Sequence, residues 1–540
     1  APLPGPSAFQ ALKDRVDVEF APNSRDRYGV DETVELRLHI KNVQTLIVKV
    51  FEVNTLNYYL ERGTEVSTDL DLDGLVTNHE RTVKYKDAPQ RRIARDFEFP
   101  EIENRRGVWV VEFIGGSKSS RAVIRKGKVQ VLGRTASVGE VMTILDEQYQ
   151  PEKGAAVWFG GRKIACDDEG RALIPFSTDP GSRTAVIETS SGFAALTQFQ
   201  HRGEQYALSA GIQVDRESLR PGAKATIVLR PSLTVANQPI SLTRLEGVQL
   251  VLTSTDLDGV VSSATIPGFE IASDREATHE FRVPDRLASL QVLLRAKVKV
   301  ASTGGNAIGL IDSRQFSVNA QLKSDRVDDL YLSRIDGDFV LEILGRTGEA
   351  QAGQNIVVTL RRDEFKNTRS VTLKTDANGG IELGALEGID GITATAPNGN
   401  KRSWRMPRAQ RTQPGLIHAV AGEAVGGPYF GALERSEVAL LGFASSGYTT
   451  DSFAKLALKD GFLLARGLEP GDYKLLLKES AQAVTLRIAK GRKSTGHVFN
   501  EARVLELRQG SPAHLAALAV KGESLEILVA NSDELTRVHI

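Results

Sequence analysis

The fold is decided by the stretch Ser67-Thr-Asp-Leu-Asp-Leu-Asp-Gly-Leu-Val-Thr77, because it returns in shortened form as Ser254-Thr-Asp-Leu-Asp-Gly-Val-Val-Ser262. The downstream flanks repeat as well, since Asp96-Phe-Glu-Phe-Pro100 corresponds to His279-Glu-Phe-Arg-Val-Pro284. A module of roughly 110 to 130 residues therefore occurs twice, and such self-similarity predicts a tandem array of domains.

Apolar and polar residues alternate along most of the chain, as in Val34-Glu-Leu-Arg-Leu-His-Ile40. A period of two places the two kinds of side chain on opposite faces of a half-buried strand. Gly, Asp and Asn interrupt these runs roughly every eight to twelve residues, which is typical of β-sandwiches rather than parallel α/β sheets. The chain is therefore predicted to be all-β, a tandem array of β-sandwich domains.

Strand runs and turns divide the chain into modules of two sizes. Each small module has a turn before its returning strand, Asp167-Asp-Glu-Gly170 in one and Thr375-Asp-Ala-Asn-Gly379 in the other. At the C-terminal end, residues 523–540 indicate two strands around an Asn-Ser-Asp turn. We predict large sandwiches at 1–132 and 206–319, small sandwiches at 133–205 and 320–408, a further sandwich at 409–490, and the start of another β module or C-terminal strands at 491–540.

Composition narrows the classes of partner. The chain of 540 residues has 68 Lys and Arg against 68 Asp and Glu, so no overall field attracts nucleic acid or an anionic membrane. Its apolar runs are too short to span a bilayer, which argues against membrane insertion. Cys166 is the single cysteine, so no intrachain disulfide forms. The chain starts at Ala1 without Met, which suggests a processed, exported protein or a piece of a longer one.

Three segments carry a resemblance to a known family. They are Asn54-Thr-Leu-Asn-Tyr-Tyr59, Leu72-Asp-Gly-Leu-Val76 and Arg106-Gly-Val-Trp-Val-Val-Glu-Phe113, and together they resemble the macroglobulin-type (MG2-like) domains of bacterial and protist alpha-2-macroglobulin-like proteins. The small modules resemble transthyretin-like or carboxypeptidase-regulatory-like sandwiches. The resemblance implies macroglobulin- or immunoglobulin-like domains and an extracytoplasmic location: secreted, at the cell surface or periplasmic.

Some members of that family trap proteases through a Cys-Gly-x-x-Gln thioester. Here Cys166 lies in Ile164-Ala-Cys-Asp-Asp-Glu-Gly170, so the thioester motif is absent and covalent trapping is not supported. We expect Cys166 to be a buried structural thiol, since no partner histidine is evident near it.

The first Asp-rich stretch also fits a calcium loop. Asp69, Asp71 and Asp73 precede Gly74, and Glu80 follows at the spacing of a ligand that closes the shell with two oxygens. The alternative is a turn in which the aspartates accept hydrogen bonds from their own backbone amides. This alternative explains both copies, because the second copy keeps Asp256, Asp258 and Gly259 but has Thr265 near the closing position.

The sequence contains little that indicates catalysis. The eight histidines are scattered, without a zinc-binding pair or a nucleophile motif. We expect Trp109 and Trp158 to lie in the core, because both fall within apolar strand runs, although Trp109, Trp158 and Trp404 would also suit a carbohydrate platform. The basic stretch Lys401 to Pro414 indicates a solvated linker or, alternatively, a protease-sensitive segment.

These patterns favour a non-catalytic extracytoplasmic scaffold that serves structure, surface assembly or protein binding. Its partners would be other proteins or further copies of itself, and its exposed strand edges would accept a partner's strand. The alternative is a segment of an alpha-2-macroglobulin-like protease inhibitor that lacks the thioester, with proteases as partners. An enzyme with a site built from distant loops ranks third.

Overall fold

A computed structural model describes most of the chain. The described residues are 5–72, 76–86, 88, 90–102, 104–215, 218–318, 328–345, 348–362, 366–406, 413–445, 447–478, 480, 482–500, 502–508, 510–533, 536 and 538. They fall into two compact units: the first comprises Ala1–Ala207, Leu233–Ile240 and Val298–Ile308, and the second Leu208–Ser232, Ser241–Lys297 and Gly309–Ile540. The all-β prediction is confirmed, since strands dominate throughout.

The first sandwich pairs a sheet of order β1-β3-β6 with a sheet of order β2-β8-β7-β4-β5. Alternation along β3 buries Leu36, Leu38 and Ile40, which meet Trp109 and Phe113 of the facing sheet in one core. Its strands are β1 (Asp17–Phe20), β2 (Arg27–Tyr28), β3 (Glu35–Lys41), β4 (Thr45–Glu52), β5 (His79–Lys84), β6 (Ile93–Glu98), β7 (Gly107–Gly115) and β8 (Lys118–Lys126).

The structure describes helices α1 (Pro6–Asp14) and α2 (Thr55–Arg62) in this region. Helix α2 begins where the Asn54 side chain accepts a hydrogen bond from the Asn57 N–H at 3.1 Å. It ends at Gly63, whose φ of 65° is the left-handed conformation that glycine tolerates best. The segment Asn54 to Tyr59, quoted above for the family resemblance, is therefore mostly helical.

The second sandwich pairs a sheet of order β13-β10-β9 with a sheet of order β12-β11-β14-β15. Its core contains Met142, Ile144, Val157 and Ile187, all almost fully buried. Its strands are β9 (Gln130–Ala136), β10 (Gly139–Leu145), β11 (Ala156–Phe159), β12 (Arg162–Ala165), β13 (Arg171–Pro175), β14 (Gly181–Glu188) and β15 (Ala194–His201).

The next strands, which we count as the third sandwich, form a sheet of order β16-β17-β18, with β21 paired to β17, and a sheet of order β20-β19-β22-β23. Period-two burial is regular here, as along β22, where Val292 and Leu294 are buried and Gln291 and Arg295 are exposed. The strands are β16 (Tyr206–Val214), β17 (Lys224–Val235), β18 (Gln238–Ile240), β19 (Glu246–Asp256), β20 (Val261–Pro267), β21 (Ala277–Arg282), β22 (Leu287–Val300) and β23 (Asn306–Ser317).

The fourth sandwich repeats the arrangement of the second, with sheets of order β24-β25-β28 and β27-β26-β29-β30. Leu341, Ile356 and Ile392 lie in its core. Its strands are β24 (Asp328–Ile335), β25 (Asp338–Gly345), β26 (Asn355–Arg361), β27 (Arg369–Lys374), β28 (Gly380–Gly384), β29 (Gly391–Thr395) and β30 (Lys401–Arg405).

The fifth sandwich has sheets of order β31-β38-β37-β33-β34 and β32-β36-β35 around Val438, Leu440 and Leu486. A small sheet β39-β40-β41 and a hairpin β42-β43 follow. The strands are β31 (Leu416–Val420), β32 (Val425–Pro428), β33 (Val438–Ala444), β34 (Gly447–Asp451), β35 (Leu456–Lys459), β36 (Phe462–Ala465), β37 (Gly471–Leu477), β38 (Gln482–Ala489), β39 (Arg492–Ser494), β40 (His497–Phe499), β41 (Val504–Glu506), β42 (His514–Lys521) and β43 (Ser524–Ala530).

The structure corrects one local prediction and leaves part of another untested, because residues 534, 535, 537, 539 and 540 of the strand predicted after the Asn-Ser-Asp turn lie outside the described residues. Lys401 to Arg405 form strand β30 rather than a linker, and Arg402 pairs with Asp329; residues 407–412 lie outside the described residues. The last hairpin forms before the Asn-Ser-Asp turn, because β43 pairs with β42. Of the helices that the structure describes, none is long and apolar enough to cross a membrane. The bounds of the six domains given above stay predictions.

Candidate functional site

The first Asp-rich turn lies between α2 and β5. Asp69 and Asp71 are exposed, and the Asp69 N–H donates to Ser67 Oγ at 3.3 Å. Glu80 lies in β5 directly opposite Lys49 of β4, and its carboxylate is 3.8 Å from the Lys49 ammonium. Asp73 and Gly74 of the predicted calcium loop lie outside the described residues. Calcium binding by this loop stays a prediction, which calorimetry with calcium against a chelated control tests.

The second Asp-rich turn uses its first carboxylate on its own backbone. Asp256 Oδ1 accepts hydrogen bonds from the N–H groups of Asp258 at 2.9 Å and Val260 at 2.8 Å. Gly259 supplies the left-handed backbone, with φ of 84°. For this copy, the amide-capping alternative is confirmed.

The same capped turn recurs in the small sandwiches. In each, a carboxylate oxygen accepts from the amides two and four residues ahead, at distances of 2.8 to 3.0 Å. The aspartates are Asp146, Asp167 and Asp376. Across the residues that the structure describes, no group of three or more His, Cys, Asp or Glu side chains is placed to hold a metal ion. In the four capped turns the aspartate stabilises the connection between consecutive strands through its own backbone amides.

Cys166 packs at the border of the second core and is half-buried. Burial raises the pKa of its thiol to about 11, and the neighbouring Asp167 carboxylate adds to the rise. Because the thiolate is the reactive form, Cys166 is a poor nucleophile near neutral pH. This agrees with the structural role predicted for it.

The tryptophans serve packing. Trp109 is 1% exposed in the core of the first sandwich, as predicted. Trp158 packs beside the residues that join the first two sandwiches, and its indole N–H donates to Glu188 at 2.6 Å. Trp404 is partly buried against the core of the fourth sandwich. A carbohydrate platform built from these three side chains is therefore not formed.

Helix α2 joins the first sandwich to the second. Tyr59, 2% exposed, packs with Val110 of β7 and with Val186 and Ala194 of the second sandwich in a single buried cluster. Its hydroxyl donates to Glu65 at 3.1 Å. We call this cluster the α2 joint; it also contains Phe51, Val66, Leu72, Val108 and Val123.

An ion pair supports the same joint. The Arg106 guanidinium, 17% exposed, donates to Glu147 at 2.5 and 2.9 Å and to Glu152 at 3.1 Å. Burial acts to raise the pKa of Glu147, but hydrogen bonds from Arg106 and from the Lys128 N–H outweigh it and hold the pKa below its ordinary value. The lowered pKa keeps Glu147 ionised at neutral pH, and its ion pair with Arg106 links the second sandwich to the first.

A cavity of about 380 Å³ opens in the first unit, lined by residues that include His201, Arg202, Tyr206 and Asn237. The His201 ring is already held, because its Nε2 lies 2.8 Å from the Pro175 carbonyl oxygen and the ring forms a T-shaped contact with Phe159, with centroids 4.9 Å apart. We therefore assign no ligand to this cavity.

A broad open surface lies on the fourth sandwich. We define the fourth-sandwich face as the side of the β27-β26-β29-β30 sheet that is opposite its core. Cross-strand register sets two complete rows on it, one of hydroxyls and one that ends in a cation. The rows are Ser370, Thr359, Thr393 and Ser403, and Thr372, Val357, Thr395 and Lys401.

Sequence reasoning missed this face. Its residues occupy alternate positions of four strands, and the signal was present as Ser, Thr and Lys or Arg at every second residue of β27 and β30. The alternation alone could not show which strands are neighbours. That information comes from pairing between segments far apart in the chain.

Family comparisons match two segments of the chain. Residues 46–127 match the model described as AbpF first immunoglobulin-like domain, and residues 215–324 match AbpF third immunoglobulin-like domain. These segments are immunoglobulin-like, and the models do not assign them to the MG2 type.

A curated relative aligns with almost all of the chain. Actin-binding protein F of Dictyostelium discoideum is 31% identical over 564 residues, covering 98% of this chain and 24% of that protein. The chain thus spans about a quarter of the length of this relative.

Solved structures show only a weak likeness. The native conformation of the E. coli alpha-2-macroglobulin is 13% identical, with a TM-score of 0.27, over 96% of this chain and 39% of that one. A tetra-tandem repeat from the extending region of a large adhesion protein is 14% identical, with a TM-score of 0.16, over 71% of this chain and 98% of that one. At such TM-scores the likeness carries no functional argument.

The relative overturns one expectation. The extracytoplasmic location predicted from the sequence is wrong, because the protein aligned with 98% of this chain is named an actin-binding protein, which points to the cytoskeleton. A single cysteine and a first residue other than Met fit either compartment, so they gave no physical basis for choosing export.

Proposed function

We propose that this chain is a non-catalytic run of tandem immunoglobulin-like sandwiches that binds actin. The observation that carries the proposal is the alignment with Actin-binding protein F, 31% identical across 98% of the chain. An alignment of that extent covers every sandwich described above. The proposal is therefore made for the array, whichever of its sandwiches contacts the filament.

The architecture supports a binding role. Separate cores such as those of the first, fourth and fifth sandwiches give rigid bodies that present sheet faces and edges. Strand β20 is such an edge, paired on one side to β19, and Val261 to Pro267 carry no charge. An uncharged exposed edge can receive a partner's strand through main-chain hydrogen bonds.

Co-sedimentation tests the proposal. The 540-residue chain is mixed with a rising concentration of actin filaments and centrifuged, and we expect it to move into the pellet along a saturable curve. A parallel spin without filaments measures self-association, which is the other partner class predicted above. A chain that stays in the supernatant at saturating filament concentrations contradicts the proposed function.

The protease-inhibitor alternative is not carried forward. Its support was the resemblance to alpha-2-macroglobulin-like proteins, and the structural likeness to them, at a TM-score of 0.27, carries no argument about activity. The thioester motif is also missing around Cys166.

A further inference from the structure

We propose that the fourth-sandwich face is a docking surface for an acidic protein surface. Taking that partner to be actin rests on the proposed function, whereas the chemistry of the face does not. The inference is built from four observations: the face is open, the described residues in its rows include cations and no acids, its hydroxyls are ordered, and the equivalent face of the second sandwich is a contact within the protein.

The face is open along its length. Alternate residues of the sheet, Ile356, Val358, Ile392 and Ala394, point into the core and are at most 1% exposed. The residues between them point away, and those on the outer strands β27 and β30 are exposed. Val357, at the centre of the face, is itself 40% exposed.

The charges on the face have one sign. Lys374, Lys401 and Arg405 are exposed near its corners. Arg361 is paired with Gly391, and Gly391 is paired on its other side with Arg405. No acidic residue occupies the rows of this face among the residues that the structure describes. The whole chain balances 68 basic with 68 acidic residues, so this local excess of cations departs from the average surface.

The hydroxyls between the cations are held in place. Thr359 and Ser370 are hydrogen-bonded across their strands at 2.8 Å, and Thr393 and Ser403 at 2.9 Å. Threonine is stiff at χ1, so little side-chain freedom remains to be lost on binding. An ordered row of donors and acceptors flanked by cations matches carboxylate groups on a partner.

The second sandwich shows what this side of the sheet does in the same fold. Its sheet β12-β11-β14-β15 has the same order of strands, and its corresponding side carries Trp158, Val186 and Leu196. There the side is covered by α2 and packs into the α2 joint. In the fourth sandwich, Val357, Thr395 and Lys401 lie in the equivalent row, so an apolar permanent contact is replaced by a polar exposed one.

Charge and side-chain type favour a protein over other anionic partners. Single-stranded nucleic acid is bound on exposed aromatic side chains, and the rows of this face contain none. Anionic membranes need dense basic clusters together with apolar residues that enter the lipid, whereas these cations are spread over a sheet of hydroxyls. An acidic protein surface is the partner that suits spaced cations around an ordered polar centre.

The test reverses the charges that carry the proposal. The triple variant K374E/K401E/R405E is compared with the wild-type chain and with K118E/K153E/K490E, which changes the net charge equally at exposed lysines on other surfaces. Each chain is measured for co-sedimentation with actin filaments at two salt concentrations, for retention on immobilised poly-L-glutamate, and for binding to phosphatidylserine vesicles. Thermal melting verifies that all three chains are folded.

We expect the face variant to bind filaments and poly-L-glutamate at least tenfold more weakly than wild type, with a smaller salt dependence, and the control variant to stay within about twofold. Equal loss in both variants, or unchanged binding by the face variant, overturns the proposal. Loss confined to phosphatidylserine vesicles also overturns it, in favour of a membrane. If the wild type does not bind filaments, the proposed function fails. The docking surface is then tested by poly-L-glutamate alone, on which the face variant must be retained more weakly than the wild type and the control variant.

Discussion

Arg106 shows how one side chain joins two sandwiches. It lies just before β7 and reaches two carboxylates, Glu147 and Glu152, which follow strand β10 of the second sandwich. All three side chains are less than 20% exposed. A partly buried cation between two anions is tolerated because each charge is matched by hydrogen bonds.

Replacing Arg106 by Met leaves two half-buried carboxylates without their cation. We expect R106M to lower the free energy of unfolding by about 2–4 kcal/mol, because removal of one partner of a buried pair leaves uncompensated charge. Urea unfolding at pH 7 measures the change. The control is R105M: Arg105 pairs with Glu52 in an exposed setting, where the cost is below about 1 kcal/mol.

The pH dependence of this pair follows from the lowered pKa of Glu147. A carboxylate whose folded pKa is depressed stabilises the folded state above its ordinary pKa, about 4.3, and loses that contribution as the pH falls through the folded value. The difference between wild type and R106M should therefore shrink in acid. A difference that stays constant between pH 7 and about pH 3 contradicts the assigned role of the pair.

At the residue scale the sequence predicted the turn chemistry of the second Asp-rich copy, whereas calcium binding by the first stays a prediction. Asp256 followed by Gly259 predicts a carboxylate that caps backbone amides, and the structure shows these bonds. The residues from Asp69 to Glu80 also fit the spacing of a calcium-binding loop. Local spacing cannot separate the two, because Glu80 is positioned by pairing with β4 and not by the loop.

At the scale of elements, helix α2 was the feature that alternation could not predict. It is short, and Tyr58 and Tyr59 suit strands by propensity, but Asn54 and Gly63 cap its two ends. The buried face of α2 packs against Val186 and Ala194 of the second sandwich, which are distant in sequence. Tertiary packing therefore outweighed local preference.

The α2 joint predicts an asymmetric response to substitutions on one helix. Y59A should cost about 3–5 kcal/mol in the free energy of unfolding, since it empties a buried site between two sandwiches. L60A, on the same helix at a side chain 44% exposed, should cost less than about 1 kcal/mol. Chemical denaturation of both variants measures the contrast, and similar losses would show that α2 packs differently.

Strand β30 shows the opposite failure, a strand mistaken for a linker. Lys401, Ser403 and Arg405 point outward, and the inward positions hold Arg402 and Trp404, so no apolar alternation is visible. Arg402 occupies a core-side position but stays 52% exposed, and its guanidinium pairs with Asp329 of β24. The strand is defined by its register with β29, which a reading of the sequence along one segment cannot supply.

At the scale of the whole molecule, the all-β architecture was predictable because a period of two recurs along most of the chain and the large module is visibly duplicated. The location was not predictable, since no residue pattern distinguishes an exported sandwich array from a cytoskeletal one. The fourth-sandwich face was likewise hidden: its cations, Lys374, Lys401 and Arg405, lie up to 31 residues apart in sequence (405 minus 374) and share one face only in the folded sheet.

The separate cores predict how the array unfolds. Since the described chain forms two compact units, calorimetry should resolve more than one unfolding transition. We expect Y59A to lower the temperature of one transition and to leave another unchanged, because Tyr59 belongs to the first unit. A single transition whose calorimetric and van't Hoff enthalpies agree would contradict this independence.

The α2 joint has a practical consequence for anyone who divides this chain into fragments. Truncation near residue 132 would separate Val186, Ala194 and Trp158 from the first sandwich and expose an apolar patch on the C-terminal fragment. Such a fragment would tend to aggregate during purification. A fragment that keeps residues 5–205 together would retain the α2 joint and would therefore aggregate less in binding experiments.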